Sequence, residues 1–279
     1  MKTSSKRLFS RAILTGAVAL ASVSAMADQL ADIKAKGELV CGVLGTDRPF
    51  SFMKNPADRE IVGYDVDFCN AIAKALGVKP VLKQLATAAR IPELQQKRVD
   101  ILTASLTHTK DRESQIDFTL STFVLGEKAL VRKDSGITHL AQLDGKKVIT
   151  TKGSTEAINI PKILPKATLI EFDTNPEGIL ALQQGKGVAY IDDETTLAGA
   201  LVKLGPAAKD YVILPENLSE DKDALGVRKD EPVFKAKVNE VLSAMEKSGE
   251  AQKIYDRWFG AGSGMNFPPR SFKIDSDQI

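Results

Sequence analysis

Gly63-Tyr-Asp-Val-Asp-Phe-Cys-Asn-Ala-Ile-Ala-Lys-Ala-Leu76 is the stretch on which the architecture turns. Phe68, Cys69, Ile72, Ala73 and Leu76 recur at helical spacing and make one apolar face, with Gly77 as a stop signal. The pattern predicts a helix over 66–76. An apolar run, Leu39-Val-Cys-Gly-Val43, reads as the strand before it, and Pro80–Leu85 as the strand after it. A helix over 91–97 and a strand over 99–106 continue the alternation. A second set follows: a strand over 147–151, a helix from Thr155, a strand over 168–172, a helix before Gly185, then strands over 188–192 and 211–214. Strands separated by helices build a mostly parallel α/β sheet with ligands at the carboxyl ends of the strands. A last helix over 232–259 shows Phe234, Val238, Val241, Leu242 and Met245 at helical spacing, which is core packing.

Two short segments look alike, Ala129-Leu-Val-Arg-Lys-Asp134 and Ala224-Leu-Gly-Val-Arg-Lys-Asp230, and they bracket the second set. Either the chain leaves one lobe near the first and returns near the second, or the likeness of so few residues is chance. The tail Asn266-Phe-Pro-Pro-Arg270 cannot continue a helix and is expected to lie extended on the surface.

The chain has 279 residues, one large domain or two small ones, with 43% hydrophobic and 27% charged residues, enough for a real core. Lys2, Lys6, Arg7 and Arg11 lie in the first 27 residues, which hold no acid. Without them the 38 basic residues become 34 against 36 acidic ones, a net charge of −2. No basic excess is left for nucleic acid. Two histidines and two cysteines are too few for a histidine- or cysteine-rich metal centre. The basic start, the apolar run Ala12–Ala21 and Ala25-Met-Ala27 spell a secretory signal over 1–27, cut after Ala27. An exported chain with two cysteines raises the question of a disulfide. Cys41 on the first strand and Cys69 on the helix packed against it either bond or remain two buried free thiols.

The motif Gly63-Tyr-Asp-Val-Asp-Phe-Cys-Asn-Ala-Ile-Ala73 resembles the signature of the family 3 extracellular solute-binding proteins, the polar amino-acid receptors of ABC importers. Pro49-Phe50, Arg98-Val-Asp-Ile101, Thr109-Lys-Asp-Arg112, Asp117-Phe118 and Gly153-Ser-Thr155 match in the same order. The resemblance implies a two-lobed periplasmic-binding-protein fold of type II, each lobe a mixed, mostly parallel sheet flanked by helices, joined by two crossing hinge strands. The division expected is 28–126 with 224–279 for the first lobe and 127–223 for the second. It implies a periplasmic monomer without cofactor that takes an amino acid and delivers it to an inner-membrane permease. Asp65 and Asp67 fall in the first turn of a helix, where acids offset the dipole, and read as caps rather than ligand contacts.

Ala104-Ser-Leu-Thr107 ends a strand in small polar residues, and Arg112 lies five residues on. A guanidinium matches a carboxylate as a two-bond fork. The resemblance puts the clamp for the ligand's α-carboxylate at Arg112, helped by Ser105 and Thr107; a surface salt bridge to Glu113 or Asp117 is the plain alternative. Thr151-Lys-Gly-Ser-Thr155 leads into a helix, where free amides with Ser154 and Thr155 attract an anion or simply cap. Asp193 matches the family's partner for the α-ammonium. Asp192-Asp-Glu194 also fits a solvated loop or a hard-cation site.

For the ligand's side chain, Arg90 stands where acidic-ligand receptors of the family carry an arginine, and Thr87 fills a slot that is aromatic in basic-ligand receptors. Leu44 replaces a second basic group of some acidic-ligand relatives; Asp47, Arg48 and Ala104 are further candidates to touch the ligand, and the alternative for Asp47 is an internal pair with Arg90 or Arg48. Glutamate or aspartate leads, with glutamine, asparagine or another polar amino acid behind. Two further readings stand beside this one: a cyclohexadienyl dehydratase-like enzyme with Glu156 or Glu194 as general acid, and a ligand sensor docking to a membrane receptor. His108 and His139 are expected to be exposed.

Overall fold

The computed structural model describes residues 28–55, 57, 59–265 and 267–276. The predicted signal segment and Asn266 of the tail lie outside them. The opening motif forms the helix Tyr64–Leu76, which Gly77 ends in a left-handed conformation, its N–H returning to the carbonyls of Ala73 and Lys74. Gly63 precedes the helix at φ 147°, and a Cβ there would lie 2.1 Å from the Phe50 carbonyl oxygen, so only glycine fits.

One sheet runs through the whole molecule. Its order is Lys79–Gln84, Glu38–Val43, Ile101–Leu102, Ser219–Val227, Asp117–Arg132, Ala189–Asp193, Lys147–Thr151 and Thr168–Phe172, with Tyr211–Ile213 also paired to Asp117–Arg132. Strand pairs within each end are parallel. The two long central strands are antiparallel to each other and carry the chain from one lobe to the other. Their pairing slips between Asp223 and Gly226, opposite Phe118–Phe123. The look-alike segments lie on either side of this crossing: Ala129 and Val131 belong to one core, Leu225 and Val227 to the other.

Burial alternates with strand period. Ala129, Val131, Val148 and Ile191 face one side of the second lobe's sheet, and Leu130, Ile149 and Tyr190 the other, so helices cover both faces. In the first lobe Phe50, Tyr64, Phe123 and Phe259 meet edge-on in the larger core, where contacts of this kind add to area burial. The C-terminal helix departs from expectation. It is two helices, Pro232–Ser248 and Glu250–Trp258, because Gly249 at φ 76° breaks the run; Phe234, Val238, Val241, Leu242 and Met245 face the core as expected. Among the described residues, no helix is long and apolar enough to cross a membrane.

Cys41 and Cys69 are bonded, Sγ to Sγ, at 2.07 Å, which decides between the two alternatives. The bond fastens the signature helix to the first strand and closes a loop with a sequence separation of 28. By loop entropy such a closure contributes about 3–4 kcal/mol. Urea unfolding with and without reductant should show a loss of that order, and an unmoved midpoint would mean that the bond stabilises nothing.

Candidate functional site

The residues named from sequence converge on one tightly closed cleft between the lobes. Leu44, Asp47, Thr87, Arg90, Ser105, Thr107 and Arg112 line it from the first lobe; Ser154, Thr155, Glu156, Asn175, Asp192 and Asp193 line it from the second. Two of the expected residues stand outside its walls. Ala104 contributes only its carbonyl, to Arg90 Nη1 at 2.9 Å. Arg48 turns away, its guanidinium 3.8 Å above the Phe52 ring, and lines a neighbouring cavity.

Arg112 stands on the single-turn helix Lys110–Glu113, capped by the Thr109 hydroxyl, which accepts from the Arg112 N–H at 3.2 Å. The guanidinium is buried. Nη1 donates to the Thr107 carbonyl at 2.8 Å and Nη2 reaches across the cleft to the Gly153 carbonyl at 3.2 Å. No bond to Asp117 or Glu113 occupies it, so the surface-pair alternative fails; Asp117 pairs with Lys229 and Glu113 with His108. Burial lowers the pKa of Arg112, and Asp223, Glu156 and Asp193 oppose that.

Arg90 is spent more fully on backbone. Nε donates to Thr87 O at 2.9 Å, Nη1 to Ala104 O and Ser105 O, and Nη2 to Gly153 O at 3.4 Å. One of its five N–H groups is left over. Four carbonyls hydrate the cation without neutralising it. Gly153 serves both arginines from φ 80°, and a Cβ there would meet Ala88 Cα of the opposite lobe at 2.6 Å.

Asp47 pairs with neither Arg90 nor Arg48, against expectation. Its Oδ1 accepts from Thr196 Oγ1 at 2.9 Å and Asn175 Nδ2 at 3.3 Å, both in the second lobe. Burial raises its pKa to about 7, with Asp65 and Asp223 adding and the Thr196 and Ser105 bonds opposing. The Thr107 and Thr155 hydroxyls face each other across the cleft at 3.4 Å. Ser154 does cap, its Oγ accepting from Ala157 N at 3.3 Å.

Asp193 ends the strand Ala189–Asp193 and begins the helix Glu194–Leu204. It is buried, and its Oδ1 has no hydrogen-bond partner among the described residues. Burial foremost, then Glu156, Asp223 and Asp192, push its pKa well up. Carboxylate oxygens of Glu156, Asp192 and Asp193 lie within 4.8 Å of one another. Asp192 spends both of its oxygens, on the Tyr190 hydroxyl and the Asp193 N–H. Glu156, itself raised mainly by burial, heads its helix. Glu194, the other acid considered for catalysis, pairs with Lys128 at 2.8 Å and does not line the cleft.

The two signature acids do not cap their helix. Asp65 Oδ2 accepts from the Ser105 N–H at 2.7 Å and holds Ser105 at φ 46°, a left-handed conformation that costs a serine energy. Asp67 Oδ2 accepts from Arg257 Nη1 and Trp258 Nε1, both at 2.7 Å. Asp65 therefore shapes the cleft wall from one turn behind it. The only sign in the sequence was an acid on the buried side of an amphipathic helix. His139 is exposed as expected, but His108 is 3% exposed.

The chain is similar to several known proteins. The ABC transporter glutamine-binding protein of Bacillus subtilis is 33% identical over 242 residues, 85% of this chain and 87% of that protein. The L-glutamate/L-aspartate-binding protein of Pseudomonas aeruginosa is 32% identical over 272 residues, 90% and 89% of the two chains. A solved ancestral arginine-binding protein bound to glutamine superposes with a TM-score of 0.75 at 34% identity, covering 80% of this chain and 98% of its own. Residues 39–261 match the family model of the bacterial extracellular solute-binding proteins, family 3. With that match across most of its length, and with two lobes closed on a polar cleft, the chain belongs to the bacterial extracellular solute-binding proteins of family 3.

Proposed function

We propose that the cleft takes a polar α-amino acid as its zwitterion and delivers it to an inner-membrane ABC permease from the periplasm. Arg112, with Ser105 and Thr107, takes the α-carboxylate, and Asp193 takes the α-ammonium. The observation that carries this reading is the buried, unpartnered Asp193 Oδ1 facing an arginine across one closed cleft. A buried charge without a partner costs several kcal/mol, and a zwitterion supplies partners for both at once. On this reading residues 28–126 with 224–279 move as one body and 127–223 as the other, and the guest joins them.

Arg90, Thr87 and Leu44 receive the side chain. Arg90 keeps its charge and one N–H, which favours glutamate or aspartate. The many buried acids nearby favour an uncharged amide such as glutamine or asparagine. Burial raises Asp47 and Asp192 to about 7 and Glu156 to about 8, however, so their negative charge near neutral pH is less than formal, and the acidic ligands rank first. The relatives compared above are named as binding proteins, not enzymes.

A thermal-shift screen of the mature protein against the twenty proteinogenic amino acids tests this. A ligand at 100 times its Kd stabilises the folded form by about 2.7 kcal/mol. Glutamate and aspartate are expected to give the largest shifts. Shifts from glutamine and asparagine alone reassign Arg90, and no shift from any polar amino acid removes the proposal.

A further inference from the structure

His108 lies immediately behind the clamp. Its ring stacks on Phe118, with centroids 4.2 Å apart and an angle of 24°. Phe118 opens the long crossing strand Asp117–Arg132. The His108 backbone N–H donates to the Lys222 carbonyl of the other crossing strand at 2.8 Å. Nε2 is 2.7 Å from Glu113 Oε1, while Nδ1 is buried with no partner among the described residues. With Nε2 against a carboxylate oxygen and Nδ1 unpartnered, the ring donates its Nε2–H to Glu113.

Glu113 is the residue after Arg112 and the last of a four-residue helix. So short a helix is not stable by itself. Its bearing is set by four ties: the Thr109 cap, the bonds from Arg112 Nη1 to Thr107 O and from Nη2 to Gly153 O, and His108 holding Glu113. Only the last of these ties the helix to a residue held by both crossing strands, through its ring on Phe118 and its backbone N–H on Lys222.

We infer that His108 is a positioning residue: by holding Glu113 it fixes the bearing of the Arg112 guanidinium and so sets the affinity for the α-carboxylate end of the guest. The inference rests on Arg112 taking that carboxylate. It identifies a determinant of affinity that does not line the cleft.

Calorimetric titration with L-glutamate and L-glutamine as probes, in a double-mutant cycle, tests it. His108→Leu and Glu113→Ala should each weaken binding about threefold to tenfold, the net effect of one partly exposed hydrogen bond. His108→Gln, whose amide can still donate to Glu113, should recover most of the loss. In an Arg112→Lys background, which keeps the charge and loses the fork, His108→Leu and Glu113→Ala should cost little more. Equal losses in both backgrounds indicate a merely structural role and overturn the inference, as does wild-type affinity in both single variants. Glu113 is partly exposed, so its variant tests the tie should His108→Leu fail to fold. Wild-type affinity in Arg112→Lys removes the clamp reading itself, a result separate from the others.

Discussion

Arg112→Ala is expected to lower the affinity for any α-amino acid by about 100- to 4,000-fold, with the folded protein intact. Removing one partner of a buried charge pair costs about 3–5 kcal/mol, and about 1.4 kcal/mol is tenfold in Kd. The guest's carboxylate would be left in the closed cleft with Arg90 as the nearest cation, and Arg90 is committed to four carbonyls. The Gly153 carbonyl would also lose the shorter of its two arginine contacts, 3.2 Å against 3.4 Å, and with it a link between the lobes. Calorimetric titration reads the first effect and the unfolding midpoint without ligand the second. Near-normal affinity in the variant would falsify the clamp.

The second large effect is a dependence on pH with an unusual sign. Asp47 and Asp65 titrate at about 7 and Glu127 at about 8, in each case chiefly because burial disfavours the charged form. Glu156, Asp192 and Asp193 shift in the same direction. In the unfolded chain these groups titrate near 4. Between about pH 4 and 8 the native state therefore binds more protons than the unfolded state, and stability falls as pH rises. A shift from 3.8 to about 7 corresponds to about 4 kcal/mol for Asp47 alone, as an upper bound. Glu93, Asp134, Glu216 and Glu246 are shifted down and act with the opposite sign, but only below about pH 4.5. The unfolding midpoint of the ligand-free protein should therefore be higher at pH 5.5 than at pH 8. Saturating amino acid should narrow the gap, because its ammonium offers Asp193 a positive partner. A midpoint that climbs steadily from pH 5.5 to 8 would show that the buried acids do not titrate as their surroundings dictate.

The signature helix, the alternation of strand and helix and the meeting of Arg90, Arg112 and Asp193 in one cleft were all legible in the chain. Each rests on local period or on a motif with fixed spacing. What was not legible depended on partners remote in sequence. The strand expected over 99–106 holds its pairing only at Ile101–Leu102, because Asp65, forty residues earlier, draws Ser105 into a left-handed turn. Arg48 reads as a cleft residue in the sequence, but stacking on Phe52 turns it away, and Gly199 packing on the Arg48 carbonyl keeps that backbone against the second lobe. His108 sits among threonines and a lysine, a surface-like setting, yet Phe118 and Glu113 enclose it. Asn175 follows the capping threonine of its helix and carries no local mark of a cleft residue.

The strand Asp117–Arg132 passes from lobe to lobe as one ribbon of 16 residues, and its ladder with Ser219–Val227 is irregular only between Asp223 and Gly226. On the proposed function a swing of one lobe on the other is absorbed near there as torsion, where pairing is already loose. The work of gaping then falls on a few groups at the rim, which trade each other for water. On that reading the two halves gape and shut on one shared ligament.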